Sequence, residues 1–383
     1  MPAEDCAPRS SSLEHASDPS NSIDGRGFVE TIQWDEDDPA HPFKRGLTTR
    51  WLTVVIISLC SLCVACTSSI YTTTYDQLLN EFHCSQEVAT LGLSLFVFGM
   101  GFGPLILGPL SELYGRRVVF LSSFTFFLIW LIPCAVARNV QTLLISRFFN
   151  GFSGSAFLSV AGGAVGDMFP RHQLAAPMMV YTASPFVGPE LGPLLGGFIN
   201  QYTNWRWTFY TLLFWAATML ISIYLFVPET HHPAILTQKA RKVRKQTGNP
   251  WPLGPSENSN VPVRELILRS IVRPVKLLTL EPMCLNLCIY SALLLGILYL
   301  FFGAFQTVFK SVYGFELWQR GLTFLGLLVG MVLAILSDPF WRRNYQRLER
   351  DHHTRNPEAS GFDPEWRLPP GTVLPWPPNS FTI

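Results

Sequence analysis

Eight stretches of this chain are long, apolar and almost free of charge: residues 51–75, 88–111, 118–137, 148–166, 176–199, 207–228, 282–309 and 321–337. Between them they hold one charged side chain, Glu190. A helix needs roughly 20 mainly apolar residues to cross the hydrocarbon core of a bilayer. A core helix of a soluble domain would show a polar face at the helical period, and these stretches are apolar all round. The strands of a membrane barrel would be shorter and alternating. The expected fold is an all-α polytopic membrane protein with the lipid bilayer as its solvent. Charged residues make up 14% of the chain, against about 25% in soluble domains. The net charge of +1 lacks the basic excess of a nucleic-acid binder. No nucleophile constellation, phosphate loop or cofactor fingerprint stands outside the spans, so neither an enzyme nor a cofactor is expected.

Lys and Arg in the loops set the orientation. With a cytoplasmic amino terminus, 23 of the 28 basic residues lie inside. Five lie outside: Arg138, Arg147, Arg206, Lys310 and Arg320. Both termini are therefore expected in the cytoplasm. The organisation expected is a disordered tail (1–50), a six-helix bundle (51–228), a cytoplasmic linker (229–281), two further helices (282–337) and a cytoplasmic tail (338–383) with a proline-rich end. Residues 1–50 contain no apolar core, so no cleavable signal peptide is expected. Cys60, Cys63 and Cys66 have a metal-like spacing. They fall inside a span with no histidine nearby, which favours helix packing over a metal site. All eight histidines lie outside the spans, and the pair His231-His232 reads as a solvated loop.

A shift of 226 positions aligns Leu110-Ser111-Glu112-Leu113-Tyr114-Gly115-Arg116-Arg117 with Leu336-Ser337-Asp338-Pro339-Phe340-Trp341-Arg342-Arg343. Each segment follows a span on the same predicted side. Parallel repeats of this kind mark transporters. Four spans follow the first copy and none follows the second, so the sequence reads as eight helices of a twelve-helix plan. An acid and paired arginines in a tight cytoplasmic loop can form a latch that holds one access state and releases in another. Simple anchoring by positive charge is the plainer reading of the same residues.

On these residues the chain resembles the major facilitator superfamily. Gly108, Glu112, Gly115, Arg116 and Arg117 match that family's cytoplasmic loop signature, and Leu113 stands where many members have a basic residue. The form Gly-Pro-Leu-Ser-Glu with Tyr-Gly-Arg is similar to the fungal drug:proton antiporter branch with twelve helices. The segment from Leu144 to Gly151 resembles the fourth-helix motif, in which Arg147 would be a buried arginine tied to proton coupling. An arginine at a helix edge can instead snorkel to the outer interface, and both readings stand at this point. The run from Ser184 to Gly197, with Gly188, Pro189, Gly192, Pro193, Gly196 and Gly197, resembles the antiporter motif of the exporters. Glycine and proline at this density interrupt helix regularity and would form a pliable hinge. Pro228-Glu229-Thr230 is similar to the opening of that branch's cytoplasmic linker.

Glu190 is the one acid within the spans. Burial disfavours its charged form, which makes it a candidate for proton exchange. A structural or substrate-contacting role is the alternative. The resemblance implies a plasma-membrane exporter of small amphipathic compounds, driven by protons through alternating access. Proton-coupled uptake and a non-transporting truncated product are the competing readings.

Overall fold

The structure is a computed structural model of the 383-residue chain. It describes residues 23–24, 27–28, 34, 38, 41–170, 173–247 and 263–355. Apolar runs without interior charge satisfy their backbone only as helices in a bilayer, and helices form in every expected span. The first span is α1 (Leu47–Ile70), a 3₁₀ turn (Tyr71–Thr74) and α2 (Tyr75–Phe82). The second is α3 (Gln86–Phe102) and α4 (Pro104–Tyr114), and the third is α5 (Arg116–Ala135). The fourth is α6 (Val140–Gly154) and α7 (Ala156–Met168). The fifth and sixth are α8 (Ala175–Tyr202) and α9 (Arg206–Phe226). Two linker helices follow, α10 (His232–Thr247) and α11 (Val263–Leu280). The seventh span is α12 (Pro282–Ser311), and the eighth is α13 (Leu317–Leu322) with α14 (Leu325–Arg355). Among the described residues, strands occur only in a hairpin, Ile23–Asp24 against Gly27–Phe28.

Six helical stretches among the described residues are long and apolar enough to cross a membrane by length and composition. The fourth and fifth of the eight expected spans fall short for different reasons. α6 and α7 have 15 and 13 residues and part at Ser155. α8 is a full 28 residues, but Pro185, Pro189, Pro193 and Glu190 dilute its apolar content. Both are inner elements. α8 lies along α1, and α6 lies between α3 and α5. Phe120, Phe124 and Phe157 form the aromatic centre of the core, with ring centroids 4.9 and 5.0 Å apart.

Three expectations change. The fourth span begins earlier than residue 148, so Arg147 lies inside α6 and not at an outer edge. The eighth span does not stop at residue 337. In the first half Gly115, inside the motif, has a φ of 95° that halts α4, a conformation that favours glycine. The aligned residue in the second half is Trp341, and α14 runs through to Arg355. Residues 356–383, with the proline-rich end, lie outside the described residues. His231-His232 opens a helix instead of a solvated loop, and parts of the expected disordered tail lie against that helix. Trp34 and His41 stand edge-on to His232 at 5.9 and 5.0 Å. Asp38 pairs with Lys239 at 2.6 Å. Residues 1–22 and 248–262 lie outside the described residues.

Candidate functional site: a buried arginine, a cavity and two closing ends

Arg147 is fully buried in α6. Its Nη1 donates to the Thr67 carbonyl at 2.9 Å and its Nη2 to the Ser68 carbonyl at 3.2 Å. Nε reaches the Gly92 carbonyl at 3.4 Å. The guanidinium also stands 4.5 Å from the Tyr71 ring and 4.4 Å from the Phe96 ring. An unpaired charge in an apolar interior is costly, and here carbonyls and ring faces offset that cost. None of these partners is a carboxylate. The snorkelling reading is excluded by this burial. Two adjacent carbonyls of α1 accept from one planar fork, so the arginine binds α1, α3 and α6 together.

A cavity of about 790 Å³ opens beside this centre. α1, α3, α7 and α8 of the first half line it together with α12 of the second. Pro189 and Phe186 of α8 face it, as do Leu295 and Tyr299 of α12. The Tyr299 hydroxyl lies 3.1 Å from Ser68 Oγ.

The glycines of α8 serve packing. Gly188, Gly192 and Gly196 repeat every four residues and present one face to α1. A methyl group at Gly192 would come 2.7 Å from the Ile70 nitrogen and 2.9 Å from the Cys66 oxygen. One at Gly188 would come 2.7 Å from the Leu62 oxygen, and one at Gly196 would meet Thr73 and Ile70. Gly197 turns to the second half instead, where a methyl would come 2.8 Å from the Leu317 oxygen. α8 passes through Pro189 and Pro193 as one continuous helix. Its glycine face packs along α1 over this stretch. Glu190 is buried at 5% exposure, and its Oε2 has no hydrogen-bond partner. It precedes Gly197 by seven residues, so it shares the face turned to the second half.

The loop motif assembles around acids other than the expected one. Glu112 is exposed. Arg116 instead pairs with Asp167 at 3.3 Å and donates to Ser111 Oγ at 2.5 Å. Arg117 donates to the Tyr224 carbonyl at 2.8 Å. Glu229 is the centre of the cluster. Its Oε1 accepts from the backbone N–H groups of Arg116 (2.8 Å), Thr230 (3.0 Å) and His231 (3.0 Å), and its Oε2 from Arg117 (3.1 Å). It thus caps α5, whose N-cap residue Gly115 has no side chain to do so. A Cβ at Gly115 would run into that carboxylate. Gly108 has open space beside it, so no neighbouring helix uses its small size. Burial, followed by the nearby Arg116 charge, lowers the pKa of His231. Asp167 and Glu229 went unassigned in the sequence because they stand 51 and 113 residues from Arg116. The Pro-Glu-Thr beyond the sixth span was the available signal.

The opposite end joins the two halves. Asp76 accepts from Lys310 Nζ at 2.7 Å and from Arg320 Nη2 at 3.4 Å. Gln201 Oε1 accepts from the Leu317 N–H at 3.1 Å. Within the first half, Glu81 holds Arg206 at 2.6 Å and the Trp205 indole N–H at 2.6 Å. None of these groups entered the sequence reading as a site. Among the described residues no group of three or more His, Cys, Asp or Glu could hold a metal ion.

Comparison with known proteins places this architecture. The sequence pattern of the Major Facilitator Superfamily matches residues 57–349. "Efflux pump atB" of Aspergillus terreus is 56% identical over 71% of this chain and 57% of its own length. "Probable drug/proton antiporter YHK8" of Saccharomyces cerevisiae is 37% identical over 88% of this chain and 65% of its own. The chain thus spans less than two thirds of these relatives. Among solved structures, the E. coli xylose transporter XylE superposes with a TM-score of 0.55 at 18% identity, covering 75% of this chain and 72% of XylE. A peptide transporter superposes with a TM-score of 0.56 at 15% identity, covering 82% and 73%. At such identity the likeness is one of fold. The match across most of the chain, the long apolar helices and the loop motif agree: this multi-pass membrane protein belongs to the major facilitator superfamily.

Proposed function

We propose that the protein exports small amphipathic compounds in exchange for protons by alternating access between its two halves. The observation that carries this reading is the cavity shared by both halves, set beside the fully buried Arg147. Its walls are apolar and carry no charged side chain, which suits amphipathic cargo better than a polar solute. The names of the fungal relatives, an efflux pump and a drug/proton antiporter, support the direction of transport.

In this reading Arg147 and Glu190 serve proton coupling. Arg147 fixes the carbonyls of α1, and Glu190 offers a buried carboxylate oxygen with no partner. The loop motif gates the cytoplasmic end, with Asp167 and Glu229 as the acids that hold its arginines and the start of α5. The glycine face of α8 seals α1 to α8, and Gly197 meets the second half. The protein acts in the plasma membrane with both termini in the cytoplasm. With Arg147 reassigned to a span, four basic residues remain outside.

The test is efflux in a host lacking its own pumps, with the same chain carrying Arg147→Met or Glu190→Gln. Resistance to amphipathic drugs should fall at least tenfold for Arg147→Met, because two charge-assisted hydrogen bonds of about 1.5–3 kcal/mol each are lost. Glu190→Gln should abolish the response of efflux to an imposed pH gradient. Unchanged resistance and pH response in both variants would reject the coupling roles.

A further inference from the structure

The wall of the cavity is chemically one-sided. Of its lining side chains only Thr90, Ser94 and Tyr299 carry an oxygen, and none carries a nitrogen or a charge. The Thr90 and Ser94 hydroxyls donate along their own helix, to the carbonyls of Gln86 at 2.9 Å and Thr90 at 3.4 Å. Tyr299 differs. It lines the cavity, yet its hydroxyl reaches α1 and lies 3.1 Å from Ser68 Oγ. The Ser68 proton is committed to the Ala65 carbonyl at 2.7 Å, so Tyr299 is the donor of the pair. The carbonyl of the same Ser68 accepts from Arg147 at 3.2 Å. One second-half side chain therefore touches both the cavity and the residue gripped by the buried guanidinium.

Resting on the transport reading above, we propose that Tyr299 is the hydrogen-bonding anchor for cargo, and that the cavity takes uncharged, largely apolar molecules bearing a ketone-type oxygen in preference to permanent cations. Such an oxygen accepts the Tyr299 proton in place of Ser68, one hydrogen bond replacing another. The remainder of the molecule meets Leu93, Val97, Phe186 and Leu295. The volume suits one drug-sized ligand, for which sites run about 300–1,000 Å³. A permanent cation would shed water without gaining a carboxylate in the wall, an uncompensated desolvation. The exchange also releases Ser68 from α12, so filling the cavity loosens a mid-depth tie between the halves beside Arg147.

The experiment is saturation binding to the purified full chain in lipid nanodiscs. The probes are tritiated progesterone, a neutral diketone, and tritiated tetraphenylphosphonium, a permanent cation. Progesterone should bind saturably, and tetraphenylphosphonium at least tenfold more weakly. Tyr299→Phe keeps the ring against Phe302. In the wild-type chain the ligand exchanges one hydrogen bond for another, so the comparison is made where Ser68 does not compete. Ser68→Ala removes that acceptor, so progesterone should bind as well or better, and adding Tyr299→Phe to Ser68→Ala should weaken it about five- to tenfold, the value of one hydrogen bond. The cation should not respond to either change. Should the double variant fail to accumulate, the Ser68→Ala chain carries the comparison: pregnane, the oxygen-free parent hydrocarbon, should compete at least fivefold more weakly than progesterone. Tight cation binding, progesterone affinity unmoved by Tyr299→Phe in the Ser68→Ala chain, pregnane competing equally there, or no saturable progesterone binding would each overturn the proposal. Progesterone binding in nanodiscs, with no progesterone transport by the same purified chain reconstituted into sealed vesicles under a pH gradient, would refute the transport reading and leave the anchor standing.

Discussion

Glu229 gives the sharpest stability test. It is buried at 8% exposure and accepts four backbone N–H groups, two of them at the start of α5. Replacing it with alanine strips the cap from a helix whose preceding residue is glycine. Loss of a helix cap typically costs about 1 kcal/mol. Loss of a negative charge from a partly buried helix start adds up to about 2 kcal/mol. The Thr230 and His231 N–H groups lose an ionised acceptor as well, so Glu229→Ala should destabilise by about 3 kcal/mol. Glu229→Gln keeps one acceptor oxygen and loses the charge, which predicts roughly half that effect. The assay is reversible unfolding in mixed micelles by titration with a denaturing detergent. Glu112→Gln is the control, because Glu112 is exposed and takes no part in the cap. A Glu229→Ala variant within about 0.5 kcal/mol of wild type, the range of ordinary surface changes, would refute the capping argument. So would an equal loss in Glu112→Gln.

Four further outcomes are expected. Gly192→Ala should destabilise by about 1–3 kcal/mol, since the added methyl meets backbone atoms of α1 that cannot turn aside. Gly166→Ala, with open space beside it, should stabilise by about 0.5–1 kcal/mol. Asp76→Asn removes the charge shared by Lys310 and Arg320. It should raise the rate at which an impermeant thiol reagent labels a cavity cysteine made by Ser94→Cys, read by mass spectrometry at that site. Burial favours neutral His231 and lowers its pKa from 6.5. The folded state therefore binds fewer protons than the unfolded one, and stability falls as pH drops from about 6.5 toward the lowered value. His231→Gln should flatten that part of the pH–stability curve, followed by thermal unfolding between neutral pH and mild acid.

The spans were legible because a bilayer imposes one constraint on every residue of a long run, and that constraint survives in composition. The placement of Arg147 was open because a charge at the edge of an apolar run looks the same whether the helix starts before it or after it. Its acceptors, the carbonyls of Thr67, Ser68 and Gly92, belong to the backbone and leave no mark in residue identity. The loop motif announced its arginines and its left-handed glycine. It did not announce Asp167 or Glu229, because those partners arrive from other spans. The glycine-proline run of α8 hid its neighbour for a related reason. Glycine spacing shows that something can come close and not what does. The structure supplies α1 against Gly188, Gly192 and Gly196.

The contact between Gly197 and Gly321 brings the backbones of α8 and α13 together. In mechanical terms it is a fulcrum placed near one end of a lever. α14 begins at Leu325, just beyond it, and the 15 residues from there to Phe340 make an arm of roughly 22 Å at 1.5 Å per helical residue. A tilt of only about 10° about that point would carry the far end through about 4 Å, most of one helical pitch. Small adjustments among Asp76, Lys310 and Arg320 at the short end would thus be magnified at the opposite face of the membrane.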